Sequence, residues 1–186
     1  ILVFGTPILL SFGYDYLDIL GILLPSSFGV SLVQVCTIKD AKIPARKKLY
    51  QSIIGVIIGV SLLSMFAVPV FIYIVTAIGM FLAGGLRLSL KLQHIVSSSI
   101  SLPSLHFYFL NGVFHGFSNL GGILLVLKNN LETSHKTQSL LNTASIYLVY
   151  VTFQMIVLCS TGNYYLFVEG LMISPFAAIF SIFLGK

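Results

Sequence analysis

The chain has 186 residues, of which 57% are apolar and only 8% are charged. Ordinary soluble domains carry about 25% charged residues. This composition therefore excludes a soluble enzyme, a nucleic-acid-binding module and a disordered tail. The net charge of +5 is interpreted as a signal of orientation in the membrane, because Lys and Arg accumulate in the cytoplasmic loops of membrane proteins. The composition predicts a multi-pass protein of the plasma (inner) membrane.

The apolar segments predict an all-α transmembrane bundle with about seven helices. Backbone groups in lipid must be paired within the protein, which favours helices, and each span needs ~20 apolar residues. The predicted helices cover residues 1–12, 16–38, 50–67, 69–90, 104–127, 137–160 and 163–185. Both ends of the chain stop inside apolar runs, which indicates a truncated sequence.

The distribution of basic residues predicts the orientation. One side receives seven of them: Lys39, Lys42, Arg46, Lys47, Lys48, Arg87 and Lys91. The other side receives three: Lys128, Lys136 and Lys186. The side with seven is predicted to be cytoplasmic, so Lys42 and Asn130 are expected on opposite sides. Cys36 and Cys159 are expected near the same face, as reduced thiols.

A faint internal repeat relates residues 4–35 to residues 120–151. A shift of 116 positions places Ser26 on Asn142 and Ser27 on Thr143. The predicted helix count gives both copies the same direction, so we expect two parallel repeats. The corresponding division is a first repeat at 1–90, an amphipathic connector at 91–103 and a second repeat at 104–186.

The fifth predicted helix carries a polar stripe. Asn111, His115, Ser118 and Gly122 are spaced i, i+4, i+7 and i+11, which places them on one face. Asn119 lies beside them. Polar groups facing lipid are costly, so this stripe is expected to face the bundle interior. The alternative is that these side chains only join neighbouring helices by hydrogen bonds.

A glycine pair follows the polar stripe. Gly121 and Gly122 predict a helix break, because glycine weakens a helix. A helix that restarts there would aim free N–H groups inward and create an anion site. The alternative is close helix packing, which Gly112 and Gly116 could provide. For Gly55 and Gly59 in the third helix, packing is the preferred interpretation.

Two further helices carry polar side chains, and the sixth helix also carries Gln154 farther along. Ser26 and Ser27 in the second helix, and Asn142 and Thr143 in the sixth, could line the wall of a path through the membrane. The alternative for Ser and Thr is a hydrogen bond to a carbonyl of their own helix.

Two titratable residues are candidates for proton or ion coupling. His115 is the one deep histidine, although a hydrogen-bonded structural histidine is the alternative. Glu169 lies within the seventh helix, although it could reach the interface. The sequence contains no HExxH, GxSxG or P-loop motif. It therefore predicts no enzyme, no metal site and no cofactor.

The chain resembles the TauE/SafE family of sulfite or sulfonate exporter-like membrane proteins. Residues 109–127 (FLNGVFHGFSNLGGILLVL) and 136–154 are similar to that family's second glycine-rich helix and the helix after it. Residues 3–13 and 20–32 are similar to the first copy. Residues 54–63 and 180–186 are similar to its glycine-containing third helix in the two copies.

The resemblance implies secondary transport of a small anion, such as sulfite, a sulfonate or another sulfur-containing anion. We expect its site between two glycine breaks with walls from two helices. The residues are Gly5, Thr6 and Pro7 of the first break, Ser118, Asn119, Gly121 and Gly122 of the second, and Ser26, Ser27, Asn142 and Thr143 of the walls. The expected partners are the anion, the lipid bilayer and a second copy of the chain. The alternatives are a membrane accessory or assembly subunit without transport, and an intramembrane enzyme that uses His115 with Glu169.

Overall fold

The computed structural model describes residues 2–39, 41–66, 104–162 and 164–184, with isolated positions between 74 and 89. All regular elements of these residues are helical, which confirms the all-α prediction for them. The α-helices are α1 (Leu2–Ser11), α2 (Tyr16–Thr37), α3 (Arg46–Phe66), α4 (Ser104–Ser118), α5 (Gly122–Glu132), α6 (Lys136–Ser160) and α7 (Phe167–Leu184), with a 3-10 turn at Tyr164–Leu166 before α7. The predicted connector 91–103 lies outside the described residues, as does most of the predicted helix 69–90.

Two pairs of parallel helices form the body of the fold. In the first pair, α2 packs against α7, and Ser174 of α7 donates a hydrogen bond to the Pro25 carbonyl at 2.9 Å. In the second pair, α3 packs against α4, with Gly55 facing Gly112 and Gly59 facing Gly116. Helix α6 contacts α2 and α3 and so joins the two pairs. The packing interpretation of Gly55 and Gly59 is confirmed.

The segment predicted as one helix over 104–127 is instead a helical hairpin. Helix α4 ends at Ser118, the backbone turns at Asn119 with φ 61°, and α5 runs back beside α4. The Tyr108 hydroxyl near the start of α4 lies 2.9 Å from Asn129 Oδ1 near the end of α5. The left-handed conformation of Asn119 is one that a helix does not contain, so it reverses the chain. The predicted break is confirmed, and the predicted single span is wrong.

We call one end of the molecule the basic end, where α2 and α5 end and α3, α4 and α6 begin. The Lys42 N–H donates to Gln138 Oε1 at 2.9 Å, and Lys48 forms an ion pair with Glu132. This end holds all the basic residues of the described part of the chain: Lys39, Lys42, Arg46, Lys47, Lys48, Lys128 and Lys136. Asn130, near the end of α5, is at this end too, so its predicted separation from Lys42 is wrong.

The opposite end, which we call the acidic end, carries carboxylates. Asp15 and Asp18 lie at the start of α2, and Glu169 lies at the start of α7 and lines the same cleft as Asp18. Cys36 lies near the last turn of α2, at the basic end, while Cys159 lies in the last turn of α6, at the acidic end. The prediction that both cysteines lie near the same face is therefore wrong.

The described helices repeat with opposite direction. Helix α1 is short and is followed by the long helix α2 and then by α3. Helix α5 is likewise short and is followed by the long helix α6 and then by α7. Helix α2 runs from the acidic to the basic end, whereas α6 runs from the basic to the acidic end. The parallel-repeat prediction is wrong, because it counted residues 104–127 as one crossing of the membrane. The hairpin of α4 and α5 returns the chain to the basic end, where α4 begins. Every later helix therefore runs opposite to its predicted direction.

Two described helices, α2 and α6, are long and apolar enough to cross a membrane. Residues 167–180 of α7 form a shorter apolar helix. Large apolar side chains also face outward, including Ile58 (40% exposed), Ile156 (54%) and Phe176 (65%). The outer surface of the described fold is therefore rich in apolar groups.

Candidate functional site

Polar side chains gather in the core where α3, α4, α5 and α6 meet. We call this set the central polar cluster, and its members are Ser52, Asn111, His115, Asn119, Tyr147, Tyr150 and Gln154. All except Tyr147 are at most 2% exposed. The prediction that the polar stripe of the fifth helix faces the interior is confirmed for Asn111, His115 and Ser118, which are all buried.

The aromatic rings of α6 hold one side of His115. The imidazole stacks on the Tyr150 ring with centroids 4.6 Å apart and planes 21° apart, and it meets the Tyr147 ring edge-on at 5.1 Å. Asn111 Nδ2 donates to the Tyr150 hydroxyl at 3.0 Å, which fixes that ring. These contacts determine the position of the imidazole while using neither of its nitrogens.

Most polar atoms of the cluster have no hydrogen-bond partner. Gln154 lies beside His115, but the two side chains are not within normal hydrogen-bond distance and angle. The unpartnered atoms are Ser52 Oγ, Asn111 Oδ1, both ring nitrogens of His115, and both amide atoms of Asn119 and Gln154. A buried polar atom without a partner costs about 1–3 kcal/mol, so natural proteins usually reserve such atoms for water, an ion or a ligand. The unpartnered atoms make the cluster the candidate site for a polar guest.

The start of α5 lies against this cluster. A Cβ added at Gly121 would lie 2.6 Å from His115 Cβ and 3.0 Å from the Asn111 carbonyl oxygen. A Cβ added at Gly122 would overlap the hydroxyl of Tyr147. The two glycines thus allow the first turn of α5 to approach α4 and α6 closely. The positive end of the α5 dipole therefore lies beside His115, Asn111 and Tyr147.

Ser118 supports the turn itself. Its hydroxyl donates to the Phe114 carbonyl at 2.7 Å and accepts from the Leu120 N–H at 3.3 Å. The Asn119 N–H donates to the His115 carbonyl at 2.7 Å. The side chain of Ser118 is therefore hydrogen-bonded within the turn, while the side-chain amide of Asn119 has no partner.

The predicted wall residues of the sixth helix lie nearer the basic end. Thr143 Oγ1 accepts from Asn129 Nδ2 at 2.9 Å and donates to the Ser139 carbonyl at 2.8 Å. Asn142 Oδ1 accepts from Gln138 Nε2 at 2.9 Å. Both side chains are thus bonded to neighbours at that end, and the structure does not bring them to the break. Tyr147 and Tyr150 occupy the corresponding wall.

The predicted first break is wrong, because α1 is continuous from Leu2 to Ser11 through Gly5, Thr6 and Pro7. The predicted wall residues Ser26 and Ser27 lie in α2. Ser26 donates to the Ile22 carbonyl of its own helix at 3.2 Å, as the alternative interpretation expected. Thr6 and Ser27 are buried with hydroxyls that have no partner. Gly5 faces the side chain of Leu23, and Pro7 lies inside α1. These residues belong to α1 and α2, and neither of these two helices contributes a side chain to the central polar cluster.

Glu169 and His115 are not brought together. Glu169 is exposed and lines a cleft of about 290 Å³ at the acidic end, with Tyr14, Asp18 and Tyr165 among its neighbours. His115 is completely buried among Asn111, Tyr147 and Tyr150. A catalytic pair needs both groups within hydrogen-bond reach of one reacting atom, so an intramembrane enzyme that pairs these two residues has no support. Within the described ranges, no three His, Cys, Asp or Glu side chains could share a metal ion.

Sequence reasoning missed three members of the cluster, namely Ser52, Tyr147 and Tyr150. A usable signal exists in α6, where Tyr147, Tyr150 and Gln154 are spaced i, i+3 and i+7 and so share one face. Tyrosine is equally common at the membrane interface, which hides this signal. Ser52 offers no comparable pattern.

Comparisons of the chain with protein-family models, with curated proteins and with solved structures give no match.

Proposed function

We propose that the chain is a multi-pass plasma-membrane transporter that carries a small anion through the central polar cluster. The observation that carries this proposal is the set of eight buried polar atoms without a partner beside the start of α5. A helix that begins inside a membrane protein offers free N–H groups and a positive dipole end. Broken helices of this kind form the substrate sites of many secondary transporters.

The membrane location is supported by the outer surface and by the charges. Helices α2 and α6 are long and apolar enough to span, and large apolar side chains point outward from α3, α6 and α7. The described Lys and Arg residues gather at one end, and Asp15, Asp18 and Glu169 lie at the other. By the preference of basic residues for the cytoplasm, the basic end is cytoplasmic.

The chemistry of the cluster favours an anion over a cation. Asn119 Nδ2, Gln154 Nε2 and the Tyr147 hydroxyl are potential donors at or near the break. No carboxylate of the described residues belongs to the cluster, since the nearest in sequence, Glu132, is held by Lys48 at the basic end. A sulfur oxyanion, which the resemblance implies, has several acceptor oxygens to receive such donors.

The inverted order of the helices supports transport rather than static binding. Inverted repeats allow one arm to rock against the other around a central site, so that the site opens to each side in turn. Here α1–α3 and α5–α7 are the two arms, and they pack against each other through α2 with α7 and α3 with α6. The hairpin of α4 and α5 brings the break between them.

A second candidate function is a membrane accessory subunit that does not transport. The close approach of Tyr147 to Gly122 favours it, because packing alone also explains a glycine at that position. In this case the polar cluster would only hold the helices together, and the purified protein would neither bind nor move anions.

The proposed anion site is tested by removing one donor. Asn119→Gly deletes the amide and keeps the positive φ that glycine adopts readily. A lost hydrogen bond to a charged group is worth about 1.5–3 kcal/mol, so we expect anion affinity to fall roughly 10- to 150-fold. The measurement is binding of thiosulfate, sulfite and methanesulfonate to monodisperse protein in detergent, followed by flux in proteoliposomes.

Asn142→Ala is the matched control, because it also deletes an asparagine amide but at the basic end. It should leave affinity within about twofold, since Asn142 is outside the cluster. Equal affinity of the Asn119→Gly variant and the unmodified protein would place the site elsewhere. Absence of binding and flux in the unmodified protein would favour the accessory subunit.

A further inference from the structure

We infer that His115 binds a proton that enters the site together with the anion, so that a proton is the co-substrate of transport. This inference rests on the proposed function and names the second species that the same site takes. It follows from the position of His115 within the central polar cluster, from its unused ring nitrogens and from the absence of charge around it in the described part of the chain.

The surroundings of the imidazole, among the residues that the structure describes, contain no charged group. From α6 it is faced by Tyr147, Tyr150 and Gln154, and from the first turn of α5 by Gly121. Asn111 lies one turn away on α4. On the α3 side Ser52 approaches Tyr150. The tyrosines are the only titratable groups in this set.

The charged side chains nearest in sequence belong to a separate network at the basic end. The ion pair of Lys48 with Glu132 lies beside Tyr108, and Lys128 interacts with Glu132 at 3.8 Å. Tyr108 lies two helical turns before His115. No carboxylate of the described residues is therefore placed to act as a permanent counter-ion of His115.

A charge of either sign would be costly in this site by itself. A protonated imidazole without a partner would be an unpaired buried charge, and a bound anion without a partner would be another. When both are present, each supplies counter-charge to the other, and with a monovalent anion such as methanesulfonate the pair is neutral overall. Anion binding and proton binding must therefore reinforce each other, by the same factor in each direction.

The geometry allows the pair to form. His115 Cβ lies directly beside Gly121 at the start of α5, and neither ring nitrogen has a hydrogen-bond partner. The lone pair of one ring nitrogen accepts the proton from water when the site is open to solution. The N–H then donates a hydrogen bond to an anion oxygen, and the proton returns to water when the anion leaves. No covalent bond to the anion forms or breaks.

The test measures anion affinity as a function of pH with anions that do not titrate. Thiosulfate and methanesulfonate keep a constant charge between about pH 5.5 and 8, so any pH dependence belongs to the protein. If one proton is taken up with each anion, the dissociation constant should rise about tenfold for each unit of increasing pH. Calorimetry in two buffers with different ionisation enthalpies should report about one proton taken up per anion bound.

His115→Gln should remove the pH dependence, because the amide can still donate a hydrogen bond but takes no proton. Its affinity should match that of the unmodified protein at the alkaline end of the range. The matched control is His135→Gln, which changes an exposed histidine between α5 and α6 and should leave the pH dependence intact.

The possible outcomes distinguish a wrong proton site from a wrong anion site. Anion binding that does not change with pH in the unmodified protein would overturn the proton inference and leave the anion site standing. A His115→Gln variant that keeps the pH dependence would overturn it in the same way. Absence of anion binding at every pH would overturn the proposed function and this inference with it. The calorimetric proton count applies to the unmodified protein, so it remains decisive even if the variant does not fold.

Discussion

At the residue scale, the contact between Gly122 and Tyr147 decides how the break is packed. A Cβ at Gly122 would lie 2.6 Å from the ring carbon that bears the Tyr147 hydroxyl. We therefore expect Gly122→Ala to destabilise the fold by about 1–3 kcal/mol through overpacking, despite the better helix propensity of alanine. Gly122→Leu should prevent folding rather than only block substrate. Thermal unfolding in detergent measures the effect.

The double variant Gly122→Ala/Tyr147→Val serves as the control. If the cost of the single variant comes from this contact, removing the ring should recover most of it, and the two changes should be non-additive. Additive effects would mean that Gly122 is required for a reason other than the approach of Tyr147.

The residues of the break were predictable from the sequence, whereas their neighbours on α6 were not. The i, i+4 and i+7 spacing of Asn111, His115 and Ser118 was enough to predict that these side chains face the interior, because a polar stripe in an apolar helix must face protein. The tyrosines of α6 carry no such constraint, since an aromatic ring is stable in the core, at an interface or in contact with lipid. Only the tertiary contact with His115 distinguishes Tyr147 and Tyr150 from the other tyrosines.

At the element scale, four glycines let α3 and α4 approach until their backbones touch. A Cβ at Gly55 would overlap the Phe109 carbonyl oxygen, which belongs to the backbone and cannot move aside. We expect Gly55→Ala to lower the stability by about 1–3 kcal/mol, measured as the shift of the thermal midpoint in detergent. Anion affinity of the folded fraction should change little, because Gly55 does not belong to the central polar cluster.

Gly5→Ala is the comparison for Gly55→Ala, because its effect on stability should not be a loss. Its Cβ would meet only the flexible end of Leu23 at 3.0 Å, and alanine is favoured over glycine inside a helix by about 0.5–1 kcal/mol. We therefore expect Gly5→Ala to be neutral or stabilising. An equal loss of stability in both variants would argue against a specific role for the α3–α4 contact.

The hairpin of α4 and α5 was the element least visible in the sequence. Residues 104–127 are continuously apolar enough to resemble one span, and the glycine pair alone permits a kink, a packing contact or a reversal. The reversal depends on the left-handed backbone at Asn119 and on Tyr108 reaching Asn129. The second of these is a contact between the two arms of the hairpin, and no local pattern encodes it.

At the scale of the whole molecule, the direction of the hairpin fixes the direction of everything after it. The segments 4–35 and 120–151, which the sequence repeat relates, each contain a short helix followed by a long one. It could not tell parallel from inverted, because similarity along the chain carries no information about which way a segment crosses a membrane. The charge distribution is independent evidence for the inverted arrangement, since the hairpin brings Lys128 and Lys136 to the same end as Lys39 and Lys42.

The inverted topology makes a prediction that the two native cysteines can test. Cys36 and Cys159 are both exposed, and they lie at opposite ends of the fold. With Cys159→Ser, we expect Cys36 to react with a membrane-impermeant maleimide only in inside-out vesicles, because the preference of basic residues for the cytoplasm predicts that the basic end is cytoplasmic. With Cys36→Ser, Cys159 should react only in intact cells.

Asn130→Cys in a background without other cysteines should follow the pattern of Cys36, because α5 ends at the basic end. Labelling of Asn130→Cys with the pattern of Cys159 would mean that residues 104–132 cross the membrane once, and the repeats would then be parallel.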